Sequence, residues 1–78
     1  MKLRLYRTQR AHVLVPHFLL PPASPDIHPP LEAIGEIDES AFGLADFAHL
    51  RAQLERRRYA IVDTLLLGQI LEFVVPLL

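Results

Sequence analysis

Four histidines, His12, His17, His28 and His49, are the first residues in this 78-residue chain with the chemistry to hold a metal. His12 and His17 stand five apart, so on a regular strand they point to opposite faces and cannot share an ion. His28 lies among prolines, and His49 falls in a helical pattern with no second ligand at i+4. Scattered surface histidines account for all four, and no metal site is assigned. Ser24, Asp26 and His28 supply the residue types of a hydrolase triad. They alternate in a proline-rich segment, without a nucleophile elbow or a scaffold to orient the base. Turn-forming polar residues of a connector are the simpler reading. Asp38 with Glu39, and Asp63 near Glu72, offer paired carboxylates for proton exchange. Helix-start and interface-rim charges explain them adequately. Zero cysteines exclude a disulfide framework, a thiolate cage and a cysteine nucleophile. No glycine-rich phosphate loop or heptad series is present. The residues therefore name no catalytic group, no cofactor and no small-molecule substrate, and the chain reads as non-enzymatic.

The basic residues carry a second possibility. Arg4, Arg7 and Arg10 follow one another at three-residue spacing, and Arg56, Arg57 and Arg58 form a dense cluster beside Tyr59. Brought together, the two groups would hold phosphates, with Tyr6 and Tyr59 available for base stacking. That makes nucleic-acid binding the alternative reading. The net charge of −1 supplies no global field toward nucleic acid or anionic lipid. Cations in the last turn of a helix explain the second cluster more simply.

The elements that must position these residues follow from periodicity. Lys2 to Thr8 alternates, Leu3 and Leu5 to one side, which predicts a half-buried strand. His12 to Leu20 also reads as extended, with Pro16 placing it at an edge or ending it early. The turn between them, Thr8 to Ala11, lacks Gly, Asn and Asp. Pro21 to Pro30 contains five prolines and reads as a stiff connector, its alternative role being to dock in an aromatic groove. Leu31 to Asp38 predicts a short strand in which Gly35 marks a bulge or a close backbone approach. Ser40 is the expected N-cap of a helix from about Ala41 to Arg57, whose stripe is Leu44, Phe47, Leu50 and Leu54, with Ala48 beside it.

For Tyr59 to Leu78 a helical wheel gives no clean stripe. A two-residue turn at Gly68-Gln69 sorts the residues better and predicts a hairpin. One face carries Val62, Thr64, Leu66, Leu71, Phe73 and Val75, and the helix stripe would pack there. The other carries Ile61, Leu65, Leu67, Ile70 and Val74, with Asp63 and Glu72. A helix followed by such a hairpin resembles the closing part of a winged helix over the last third of the chain, and no residue roles are carried over from it.

Five large aliphatics are too many for a solvated sheet face. Ile61, Leu65, Leu67, Ile70 and Val74 are therefore the expected partner-binding surface. Size points the same way. A folded chain of 8.9 kDa exposes about 4,800 Å² and has little stability margin without disulfides or a metal. The expectation is one small α+β domain, residues 1–78: an N-terminal β-hairpin, a proline-rich connector over residues 21–30, a short strand, one amphipathic helix and a C-terminal β-hairpin. It would act in the cytoplasm as a protein-binding module, a homodimeric adaptor, inhibitor or regulator. No signal peptide or membrane span is expected, because His12, Pro16 and His17 interrupt the first apolar run and the last is too short.

Overall fold

A computed structural model describes the chain apart from residues 23, 25, 26, 28, 29 and 78 and the side chains of residues 44–46. The fold is α+β. Its strands are β1 (Lys2–Arg7), β2 (His12–Pro16), β3 (Glu32–Asp38), β4 (Ala60–Val62) and β5 (Val75–Pro76), and its helices α1 (Leu44–Arg57) and α2 (Thr64–Ile70). The strands form one sheet in the order β4-β2-β1-β3-β5, every neighbouring pair antiparallel.

The leading hairpin forms as its alternation predicts, with Leu3 opposite Pro16 and Arg7 opposite His12. Thr8 supplies what the turn lacks in glycine. Its hydroxyl accepts the N–H groups of Arg10 and Ala11 at 3.3 and 3.0 Å, and its own N–H donates to the Ala11 carbonyl at 2.8 Å. A Ser or Thr hydroxyl closes turns this way where no Asx residue is present. Pro16 ends β2, which is an interior strand between β4 and β1.

Opposite β1, the register of β3 shifts between Leu5 and Tyr6: Leu5 faces Gly35 and Tyr6 faces Ala33, so Ile34 is the extra residue of a bulge. Gly35 also meets the second expectation. A Cβ there would lie 2.5 Å from the Val75 carbonyl oxygen and 2.6 Å from Val74 Cγ1. Only glycine lets β5 come this close.

Helix α1 starts later than its sequence suggests. Asp38, not Ser40, is the acceptor: its carboxylate takes the Ser40 N–H at 3.0 Å and caps a 3-10 turn over Glu39–Ala41. Gly43 is then the N-cap of α1. The helix ends where Arg58 enters the left-handed region at φ 66° and donates its N–H to the Leu54 carbonyl. Leu50 and Leu54 are buried as the stripe predicts, whereas Ala48 is exposed.

The C-terminal hairpin is not formed. Thr64–Ile70 is a helix, a 3-10 turn follows at Leu71–Phe73, and β5 returns to pair with β3 at the far edge of the sheet. Two causes decide this. Asp63 caps the helix by accepting the Leu66 N–H at 2.8 Å. The run Leu65-Leu66-Leu67 is also unbranched at Cβ and favours helix over strand. Gly68 is an interior helical residue, and the resemblance to a winged helix falls with the hairpin.

Both sheet faces are covered, each by a different layer. Leu3, Leu5, Leu14 and Ile37 pack under Leu50, Leu54 and Ile70 of the two helices. On the opposite face Tyr6, Val13 and Val15 meet Tyr59 and Ile27, with Leu19 partly buried against them. Ile27 and Leu19 therefore cover part of this face of the sheet. No described helix is long and apolar enough to cross a membrane.

Candidate functional site

The five residues expected to form one greasy hairpin face do not share a surface. Ile70 is in the core at 2% exposure, Leu65 projects from α2 at 76%, and Ile61, Leu67 and Val74 are partly buried. With the turn at Gly68-Gln69 replaced by helix, the period of two that aligned them is gone. Of the opposite face, Val62 is in the core and Leu66 packs against it, but Leu71 and Phe73 are about half exposed.

Nor do the arginines form one patch. Arg4 lies opposite Glu36 and Arg7 opposite Glu32 in the β1–β3 register, and each forms an ion pair with the acid it faces. The basic row of β1 is thus matched by an acidic row on β3. Arg57 is committed elsewhere, its guanidinium 4.6 Å from the centre of the Tyr59 ring. Arg10 sits in the β1–β2 turn, beyond the His12–Val62 end of the β2–β4 ladder. Arg56 and Arg58 precede its Leu14–Ala60 end. Register places these two groups at opposite ends of the sheet.

The remaining candidates have structural duties. Ser24 Oγ lies 2.7 Å from the Tyr59 hydroxyl, while Asp26 and His28 fall outside the described residues. Glu39 pairs with the Met1 amine at 3.0 Å, and Glu72 stands in the 3-10 turn before β5. His17 Nδ1 lies 3.2 Å from the Lys2 carbonyl and its ring stacks edge-on to Phe18, while His49 is exposed on α1. Among the described residues no three His, Asp or Glu side chains converge as metal ligands. A groove of about 550 Å³ between the β1–β2 turn and the start of α2 holds Arg7, Arg10, His12 and Asp63. Two of its four charged or titratable groups are already bonded, Arg7 to Glu32 and Asp63 to the Leu66 N–H.

The sheet edges differ in a way that sequence reasoning missed. Along β4, Gln53 Oε1 accepts the Ile61 N–H at 3.2 Å and Arg57 Nε donates to the Tyr59 carbonyl at 3.4 Å. The same Gln53 oxygen accepts from Arg57 Nη2 at 2.5 Å. Side chains one helical turn apart on α1 thus occupy the Ile61 N–H and the Tyr59 carbonyl, which obstructs further strands at this edge. The i, i+4 spacing of Gln53 and Arg57 was the available signal, but nothing in it identifies the strand they seal.

At the other edge, among the described residues, β5 pairs Val75 with Glu36 and Pro76 with Gly35. Around it Leu71, Phe73, Val75 and Leu77 are 49, 50, 66 and 41% exposed. Beside them a mainly apolar groove of about 460 Å³ opens between β3, the 3-10 turn over Glu39–Ala41, Phe73 and Val75. Lys2 and Asp38 stand at its margin. The Asp38 carboxyl is held below the usual carboxylate range, chiefly by the hydrogen bond from Ser40, and is ionised at neutral pH. This arrangement offers mainly apolar contact area, with Lys2, Glu36, Asp38 and Ser40 among the lining residues. Compared with family models, with curated proteins and with solved structures, the chain matches none.

Proposed function

We propose that this chain is a non-enzymatic protein-binding module that associates through the surface around β5, as a homodimer or as an adaptor of another protein. The observation that carries the reading is the half-exposed apolar set Leu71, Phe73, Val75 and Leu77 at the unsealed edge. Single exposed hydrophobics are ordinary on a protein surface, but these four fall within seven residues of chain, and Phe73 and Val75 line an apolar groove, which supports an interaction site. A soluble, cytoplasmic setting belongs to this proposal and is tested by cell fractionation.

Contact is made by side chains more than by backbone. Pro76 has no N–H, so Val75 carries the single N–H that β5 brings to any ladder. Light scattering on the purified chain should give a mass above that of one copy, and Phe73→Glu or Val75→Glu should return it to a monomer with unchanged helix content. A monomeric mass for the unaltered chain, together with no partner captured by it and lost by Phe73→Glu, would remove the proposal.

A further inference from the structure

Resting on that reading, we infer that β5 is an exchangeable strand, and that the cradle on β3 is filled in the assembled protein by the β5 of a second copy. The cradle is specific. Gly35 is bare where a Cβ would lie 2.5 Å from the Val75 carbonyl oxygen, so the site accepts an extended backbone at a distance no other residue would permit. The occupant is also specified, because the segment seen seated there fits it, and every further copy carries the same segment.

The bond within one copy is slight. Among the described residues two pairs join β5 to β3, a strand of seven residues. Val74, in extended conformation at φ −78° and ψ 127°, separates the 3-10 turn from β5 and is the natural hinge. Exchange keeps every contact in the cradle and places the two 3-10 turns close together. Leu71 and Phe73 of each copy then gain neighbours that one copy alone does not give them. A stable interface needs about 800 Å² from each partner.

The absence of cysteine from the sequence makes the test direct. Glu36 and Val75 are opposed in the β3–β5 register, and facing antiparallel Cα atoms fall within the span of a disulfide. Two full-length variants, Glu36→Cys and Val75→Cys, are unfolded together in urea, refolded as a mixture and oxidised. Exchange predicts a covalent heterodimer that greatly exceeds the dimer formed by either variant alone. The chain carrying both substitutions controls for folding and reach, since it must form a bond within or between copies in either case. A dimer by light scattering with only intrachain bonds in the double variant, and no excess heterodimer in the mixture, overturns exchange and leaves the binding surface standing. A monomer at every concentration with only intrachain bonds overturns exchange and the homodimer together.

Discussion

At the scale of single residues, His12 shows how a group that looks like a ligand is put to another use. It stands opposite Arg7 and Val62 on an interior strand, and its pKa is lowered first by burial and then by the charge of Arg7. The folded protein therefore favours the neutral ring, and the unfolded chain binds the proton more tightly. Stability from this group is complete above its ordinary value of about 6.5 and is lost as pH falls toward the depressed folded value. The urea midpoint should drop between pH 7 and pH 5, and His12→Gln should flatten that drop. An unchanged slope in the variant would show that the titrating group lies elsewhere. The lowered pKa of Asp38 acts in a separate window, below about pH 4, so the two effects can be read apart.

At the scale of elements, the sequence was legible where period and length agreed. The alternation of Lys2 to Thr8 and the spacing of Leu50 and Leu54 each have one solution, and both elements formed. The tail was ambiguous because α2 has only seven residues, too few for a stripe to declare itself. Leu66 and Ile70 face the core four residues apart, but Leu65, Leu67 and Leu71 beside them obscure the pattern. The decisive signal is Asp63, an N-cap type placed directly before the run, for which a rim charge is the competing reading. Gly68 provides the check. A Cβ there meets nothing within 4 Å, and its φ is not positive. Gly68→Ala should raise stability by up to about 1 kcal/mol, since glycine inside a helix is poorer than alanine by that amount. A hairpin turn would have required the opposite sign, so one thermal melt separates the two structures. The site around β5 was less legible. Phe73 and Val75 were visible as apolar, but not that the sheet order would carry them to an outer edge.

At the scale of the whole molecule, the sheet has one closed border and one open one, and the contrast assigns different duties to similar side chains. Gln53→Leu keeps the size of the side chain but leaves the Ile61 N–H without its acceptor. A fully buried donor left unmet costs about 1–3 kcal/mol, and this half-buried one costs less. The substitution should lower the melting temperature and also promote concentration-dependent aggregation, because a bare strand border recruits others. Phe73→Glu at the opposite border should reduce association instead. If both variants behave alike in light scattering, the division between borders is wrong.

The position of β1 in the middle of the sheet has a consequence for synthesis. The earliest strand is flanked by β2, which follows within a few residues, and by β3, which comes only after the proline-rich stretch has been made. One flank of the innermost strand therefore stays unfilled while the chain is still emerging, a state prone to capture by neighbouring nascent chains. The cross-strand arginine–glutamate pairs at Arg4 and Arg7 reward only the correct late arrival, because an uncharged strand in that place would leave both arginines unmatched.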